Sequence, residues 1–274
     1  RIPDIGYFSV APDPASSAAV VLSHGQELHT SYWGHLGVLG LRDHYLLPEF
    51  SGYAGTAIAS LYPTNATFAD LAHQQGALVG HVHPYDVIPD PVKDPVLTDS
   101  LPVEVALGKL DYYEVLGFAD PRATAAVWYR LLNCGFRVPA AGGTDAMTNY
   151  GSLRGPVGLD RVYAAMDAVP AEPAARVAAW LAALRSGRTM ATNGPLLGLT
   201  VAGSPPGAAI SLPAGNAGLR YRGFLRSVVP VDHLELVLNG VVVRSIALRG
   251  DRMSADIEGS VKAQGSGWLL LRAW

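Results

Sequence analysis

Histidines are crowded into the first third of this chain, and they are the residues best able to do chemistry. Seven of the eight histidines lie at or before position 83, and only His233 lies in the C-terminal part. Histidine is the commonest metal ligand in proteins, and its charge changes readily near neutral pH. This distribution indicates a metal-dependent or acid–base site in the N-terminal part of the chain.

Several of these polar residues stand where predicted strands end. Glu27 lies at the polar end of one predicted strand, and His35 opens the next. His83 and Asp145 stand at the ends of two later strands, and His81 shares the spacing i, i+2 with His83, so both would face one side of a strand. Carboxylates and imidazoles that converge from separate strand ends suit a Zn or Mn hydrolase site of one or two ions.

The remaining histidines have less distinctive settings. We expect His73 on the exposed face of a helix, and His29 and His44 as polar residues of loops. For His24, a ligand role and a bond to a nearby backbone group are equally supported. His233 follows an aspartate before a hairpin strand, an arrangement typical of a surface, so no metal ligand is expected from that region.

Alternating strands and helices must position these residues. Apolar runs bounded by turn residues predict strands at 18–28, 35–41, 77–83, 111–116 and 136–145. Capping residues and helical spacing predict helices at 65–75, 121–133 and 171–185. The Pro- and Asp-rich stretch 86–102 is predicted to be a surface loop. This alternation predicts an α/β fold, either a barrel or a doubly wound sheet.

The pattern changes after about residue 195. Turn signals follow at 204–207 and 213–216, and Asn239-Gly240 is a strong hairpin signal between two apolar runs. The chain is 274 residues long, which allows one medium and one small domain at about 150 residues each. We therefore predict a first domain at 1–195 and a small, sandwich-like all-β domain at 196–274.

Composition excludes several classes of protein. Hydrophobic residues make up 49% and charged residues 16%, which is unlike a disordered chain. A net charge of −3 argues against nucleic acid or an anionic membrane as a partner. A single cysteine, Cys134, excludes an intrachain disulfide without deciding the compartment. A small-molecule substrate is the expected partner, while homo-oligomer formation and a bacterial cytoplasmic, periplasmic or secreted location stay open.

The order and spacing of several segments resemble the polymerase-and-histidinol-phosphatase (PHP) superfamily. Within it, the chain is most similar to the carbaryl-hydrolase metallohydrolases. The resemblance covers essentially the whole chain and is carried by the segments 25–27, 33–40, 76–84, 143–147, 186–195 and 234–240. No single motif is decisive, but their order and spacing together are fairly specific.

The resemblance implies a distorted seven-stranded β/α barrel with metals at its C-terminal face. It makes Glu27 a metal-bridging carboxylate, and His35, His83 and Asp145 further ligands of Zn or Mn. His81 has no counterpart in the family. The only argument for His81 as a metal ligand is therefore its spacing from His83.

Two departures from the family pattern matter. The H-x-H pair of the first barrel strand has no match before Glu27, so we expect the chain to be an internal piece of a longer protein, with the first strand missing. Met147 stands where many relatives have a histidine, and a thioether is a poor Zn or Mn ligand. One or two ions are therefore expected rather than three.

The resemblance implies hydrolysis of an ester or carbamate bond, with aryl N-methylcarbamates such as carbaryl as substrates. A metal-bound hydroxide would attack the carbonyl, in a catalytic centre of Glu27, His83 and Asp145. The candidate substrate contacts near predicted strand ends are Tyr112, Tyr113, Asn149, Arg154 and Asn193.

Two alternatives remain. A PHP-type phosphoesterase is disfavoured because only Arg154 lies close to a ligand motif, whereas a phosphate site favours basic residues. A non-catalytic binding module with a degenerate barrel is disfavoured by the retained ligand residues.

Overall fold

The computed structural model describes residues 8–90, 92–93, 99–147, 154–212 and 217–274. Within these ranges the helices are α1 (Asn65–Gln74), α2 (Leu101–Ala106), α3 (Pro121–Asn133) and α4 (Pro173–Arg185). The strands of the N-terminal part are β1 (Gly25–Thr30), β2 (Leu36–Leu39), β3 (Phe50–Ser51), β4 (Leu78–His81), β5 (Tyr112–Leu116), β6 (Ala140–Gly142), β7 (Arg161–Ala164) and β8 (Thr189–Thr192). The strands of the C-terminal part are β9 (Leu196–Val201), β10 (Ala217–Arg226), β11 (His233–Leu238), β12 (Val241–Ala247), β13 (Ser254–Ala263) and β14 (Leu269–Ala273).

A six-stranded mixed sheet in the order β3-β1-β2-β4-β5-β6 forms the centre of the N-terminal part. Strand β2 pairs antiparallel with β1 and β4, whereas β4, β5 and β6 run parallel. Helix α1 follows β3 and α3 connects β5 to β6, as the predicted strand–helix alternation requires. The fold class is therefore α/β.

The predicted closed, seven-stranded barrel is not seen in the described part of the chain. The sheet ends at β3, a two-residue strand that pairs only with the last two residues of β1. At the other end, β6 meets the two-stranded ribbon β7–β8 through a single bridge between Gly143 and Arg161. Within the described residues, the sheet does not close upon itself.

Several predicted elements are wrong in extent. The strand expected at 136–145, for example, is only Ala140–Gly142. The strand expected at 18–28 begins only at Gly25, because the apolar residues before it pair with no strand among the described residues, and Val20 and Leu22 are 56% and 44% exposed. The loop expected at 86–102 gives way to α2 at Leu101. Its side chain and that of Val105, one helical turn later, are buried against Tyr113.

The predicted starts of α1 and α3 are confirmed. Thr64 caps α1 by accepting a hydrogen bond from the Thr67 N–H. Asp120 caps α3 by accepting one from the Ala123 N–H at 2.7 Å, with a proline in the first turn. These bonds satisfy amide groups that have no partner inside the helix.

Beyond residue 195 the described residues form strands, as predicted. They make two three-stranded sheets, β13-β10-β9 and β12-β11-β14, around a core that includes Leu225, Val231 and Leu234. Asn239 and Gly240 adopt φ angles of 53° and 86° and connect β11 to β12, which is the left-handed turn that an Asn-Gly hairpin requires.

None of the helices in the described ranges combines the length and the apolarity needed to cross a membrane.

Candidate metal centre

Side chains along β1 point alternately into the core and away from it. Gln26, Leu28 and Thr30 are buried, so Glu27 and His29 occupy the opposite face of the strand. Leu28 packs in a core shared with α1 and β2, which fixes the rotation of the strand. The carboxylate of Glu27 is thereby presented away from the core.

Glu27 lies at the centre of a cluster of imidazoles. The Nδ1 atom of His35 and the Nε2 atom of His83 lie 2.9 and 3.0 Å from the same oxygen, Oε1 of Glu27. One ligand atom from each of the three residues lies within 4.8 Å of the others. The antiparallel pairing of β1, β2 and β4 brings these residues together, because His35 directly precedes β2 and His83 follows β4.

The backbone of His83 is held in an unusual conformation. Its φ of 33° is left-handed, a region that residues other than glycine seldom adopt. Its N–H donates a hydrogen bond of 2.5 Å to Oε2 of Glu114, a buried residue of β5. A Cβ added at Gly117 or Gly143 would fall 2.7 Å from a Glu114 carboxylate oxygen, so these two glycines leave room for the carboxylate. Glu114 therefore fixes the orientation of His83 through its backbone N–H.

The electrostatics of the cluster follow from burial and from these bonds. Burial alone would raise the pKa of Glu27, but the hydrogen bonds from His35 and His83 hold that pKa far below its usual value. For His83, burial opposes protonation, yet the bond to Glu27 raises its pKa overall. Burial raises the pKa of Glu114 to about 7, although the His83 N–H bond works against that rise. At neutral pH, the Glu27 carboxylate is thus ionised.

Asp145 lies at the rim of this cluster. Its Oδ2 atom is 4.0 Å from Nε2 of His83, and the same oxygen forms an ion pair with the guanidinium of Arg154. Asp145 is not part of the group of ligand atoms that lie within 4.8 Å of one another among the described residues. The structure therefore brings Asp145 close to the cluster, but its carboxylate is paired with the Arg154 side chain.

His81 does not join His83, contrary to the expectation from their spacing. Strand β4 ends at His81, and the left-handed backbone at His83 breaks the alternation of side chains. The His81 ring is fully buried, with Nε2 2.7 Å from Oε2 of Glu104. His81 forms a buried polar pair with Glu104 of α2 and is not part of the group of ligand atoms around Glu27 in the described residues.

Two substrate-contact candidates are corrected by their burial. The Tyr112 hydroxyl donates a hydrogen bond to the carbonyl of Gly37, and the Tyr113 hydroxyl donates one to the carbonyl of Thr124, each at 2.9 Å. Both tyrosines lie in the core, where no bound substrate would reach them.

The other three candidates have different positions. Arg154 is partly buried, paired with Asp145, and its guanidinium lies 4.3 Å from the ring centroid of Phe118. Asn193 is exposed in a bend after β8. Asn149 lies outside the described residues.

Among the remaining histidines, one expectation is wrong and concerns the site itself. His29 belongs to β1 and not to a loop, and its Nε2 atom lies 3.6 Å from Oε2 of Glu27. Its i, i+2 spacing from Glu27 was the signal available in the sequence. His44 is exposed and bonded to Asp43, as expected. His73, expected on the exposed face of a helix, is a part-exposed residue of α1 whose ring bonds to Asp111.

A small cleft of about 170 Å³ opens beside the cluster, and His35, His83 and Asp99 are among its lining residues. Burial raises the pKa of Asp99 to about 6. A larger surface depression of about 740 Å³ lies around His44 and His73. It does not include the Glu27 cluster, so the smaller cleft is the one that matters for the site.

The donor set fits a divalent ion. Two imidazole nitrogens and an ionised carboxylate are the ligand types that Zn prefers, and three protein ligands leave a position for water or substrate, as in catalytic zinc sites. The same donors also serve Mn.

Comparisons with protein-family models, with curated proteins and with solved structures found no match to this chain.

Proposed function

We propose that this chain is a metal-dependent hydrolase that cleaves an ester or carbamate bond, with aryl N-methylcarbamates such as carbaryl among its substrates. The observation that carries the proposal is the convergence of Glu27, His35 and His83 on one point. The segment resemblance to carbaryl hydrolases supplies the substrate class.

Glu27, His35 and His83 would hold the ion. When bound, it would supply Lewis-acid polarisation of the substrate carbonyl and a lowered pKa for a nearby water molecule. Glu27 contributes a carboxylate that stays ionised, and the two imidazoles must present unprotonated nitrogens. Glu114 maintains the backbone of His83 in the conformation that aims its ring at Glu27.

The arrangement of the sheet supports a hydrolase of PHP type. Strands β4, β5 and β6 run parallel, and His83 and Asp145 follow the carboxyl ends of β4 and β6. Active sites of α/β proteins lie at that edge of the sheet. We propose that the six-stranded sheet belongs to a β/α barrel spanning 1–195, with 196–274 as an accessory β domain.

Arg154 favours one alternative chemistry. Its guanidinium lies at the rim of the cluster, where it would also bind a phosphoryl oxygen. A phosphoesterase is therefore the second candidate, and the assay must include a phosphate ester.

The test is hydrolysis by the chain after removal of metal with a chelator and reloading with Zn²⁺ or Mn²⁺. We expect metal-dependent release of 1-naphthol from carbaryl, loss of that activity in His83→Ala, and little turnover of p-nitrophenyl phosphate. Faster turnover of the phosphate ester would favour the phosphoesterase. Metal binding without turnover of either substrate would favour a binding module.

A further inference from the structure

Asp99 shares a cleft with two of the candidate metal ligands, and the proposed function gives it no role. His35, His83 and Asp99 are among the residues that line this cleft of about 170 Å³. A pocket that encloses a whole drug-sized ligand measures about 300 to 1,000 Å³, so the cleft has room for only a small part of a substrate. Because two of its walls are candidate metal ligands, it suits the acyl side of an ester or carbamate.

The backbone at Asp99 is held in place by the segment before β2. The Ser100 N–H and the Ser100 hydroxyl both donate hydrogen bonds to the carbonyl of Trp33, at 3.1 and 2.8 Å. Asp99 itself has a φ of 50°, in the left-handed region that costs energy for a residue with a side chain. Such a conformation persists only where the surrounding structure imposes it, and residues of this kind cluster at functional sites. The position of Asp99 is therefore imposed by the fold.

Gly34 leaves room for the Asp99 side chain. Its φ of 87° is left-handed, and a Cβ added to it would lie 2.8 Å from Oδ2 of Asp99 and 2.7 Å from Cε1 of His81. Gly34 directly precedes His35, so the carboxylate packs against the backbone next to a candidate metal ligand. His81 is itself fixed by its contact of 2.7 Å with Glu104 in the core. Close packing therefore gives the Asp99 carboxylate a defined place in the cleft.

The charge of the cleft favours a substrate group that donates a hydrogen bond. Asp99 contributes a carboxylate, and none of the described residues that line the cleft is a lysine or an arginine. The guanidinium of Arg154 pairs with Asp145 and is not among these lining residues. A carboxylate accepts hydrogen bonds at about four lone-pair positions, so it can bind a ligand N–H in addition to its contacts within the protein. The cleft therefore suits a neutral group with an N–H and disfavours an anionic one.

We propose that the Asp99 carboxylate accepts a hydrogen bond from the N–H of a carbamate substrate, and that this bond selects N-monosubstituted carbamates over esters of the same shape. The inference rests on the proposed function, which supplies the reaction at the Glu27 cluster. An N-methylcarbamate carries its N–H on the atom bonded to the carbonyl carbon, so an acyl group that enters the cleft brings the N–H with it. A site built to bind a substrate N–H rejects the analogue that lacks it, because the buried acceptor then loses a partner.

A matched pair of substrates isolates this hydrogen bond. 1-Naphthyl propanoate has the shape and the leaving group of carbaryl, with a methylene group in place of the N–H. The ratio of kcat/KM for carbaryl to kcat/KM for the propanoate is measured for the parent chain and for each variant, all loaded with Zn²⁺ or Mn²⁺. We expect this ratio to fall about tenfold to a hundredfold in Asp99→Gly, which removes the carboxylate and suits a left-handed backbone. Asp86→Gly removes an exposed carboxylate that does not line the cleft and should keep the parent ratio.

The other outcomes each decide the question. An unchanged ratio in a folded Asp99→Gly would overturn the role of Asp99 and leave carbamate hydrolysis standing. Loss of bound metal in Asp99→Gly, measured by elemental analysis, would also overturn it, because Asp99 would then support the metal and not the substrate. Absence of metal-dependent carbaryl hydrolysis in the parent chain would overturn the proposed function as well. If circular dichroism shows that Asp99→Gly does not fold, Asp99→Asn, which keeps the size and removes the charge, carries the same comparison with a smaller expected fall, and an unchanged ratio there would overturn the proposal.

Discussion

Glu27 and His83 are separated by 56 positions in the chain, yet Oε1 of one lies 3.0 Å from Nε2 of the other. Their strands, β1 and β4, are not neighbours; each pairs antiparallel with β2, which lies between them. The hydrogen bond between Glu27 and His83 therefore spans the end of β2 at which His35 lies. The site depends on the register of these three strands.

Replacement of His83 by alanine should remove metal binding and turnover while sparing the fold. Loss of a residue that merely supports a metal ligand typically costs about 10- to 100-fold, so loss of the ligand itself should cost at least about 100-fold in affinity and in kcat/KM. The side chain lies beyond the end of β4, so the free energy of unfolding should change little. His44→Ala is the matched control. Near-normal turnover with normal metal content in His83→Ala would place the site elsewhere.

Replacement of Arg154 by methionine should tighten metal binding. The change removes a positive charge from the rim of the site and releases the carboxylate of Asp145, whose Oδ2 is 4.0 Å from Nε2 of His83. Screened charge repulsion of this kind is worth roughly a threefold to tenfold change in the dissociation constant. Isothermal titration with Zn²⁺ measures it, with the exposed Arg249→Met as control. Weaker binding in Arg154→Met would mean that the guanidinium supports the site.

Glu114 should make the stability of the metal-free protein depend on pH. Its folded-state pKa is raised by burial to about 7, above the ordinary value of 4.5, so the folded protein holds a proton that the unfolded chain releases. Its contribution is therefore complete below pH 4.5, and stability falls as the pH rises from 4.5 to 7. A shift of this size corresponds to at most about 3 kcal/mol.

The test is chemical denaturation of the metal-free protein across this pH range. Glu114→Gln should flatten the decline, while its amide oxygen still accepts the His83 N–H. The control variant Glu258→Gln, at an exposed position, should show the same decline in stability with pH as the parent protein. A decline of the same steepness in Glu114→Gln would show that the carboxyl group does not titrate in this range.

Gly143 should not tolerate a side chain. A Cβ at this position would lie 2.7 Å from Oε1 of Glu114, so Gly143→Ala should displace that carboxylate and, through it, the backbone of His83. Overpacking of this kind costs about 1 to 3 kcal/mol of stability, and metal affinity should fall with it. Gly265→Ala, which meets only open space, should change neither quantity. Unchanged metal affinity in Gly143→Ala would argue against control of His83 by Glu114.

Tyr113 should matter for stability and not for substrate binding. Tyr113→Phe removes a buried hydrogen bond to the Thr124 carbonyl, at a cost of about 0.5 to 1.5 kcal/mol. The exposed Tyr163→Phe should cost far less. Denaturant titration and the KM for carbaryl measure the two effects. A large rise in KM with unchanged stability would restore Tyr113 as a substrate contact.

Much of the local structure was predictable from the sequence, because it depends on neighbouring residues. The helix starts at Thr64 and Asp120 and the Asn239-Gly240 hairpin follow from capping and turn chemistry that acts within a few positions. Strand ends marked by polar residues also pointed to Glu27 and His83 as parts of one site. These signals need no knowledge of which strands are neighbours.

The tertiary structure decided what those signals could not. The rotation of β1, set by burial of Leu28, places His29 beside Glu27, and the left-handed backbone at His83 separates it from His81. The hydrogen bond from the His83 N–H to Glu114 depends on β5, a strand that comes much later in the chain than β1. The short pairing of β3 with β1, at one end of the sheet, was likewise invisible in the sequence. Side-chain alternation defines the faces of one strand, whereas its neighbours, its register and its exact end are set by packing between distant segments.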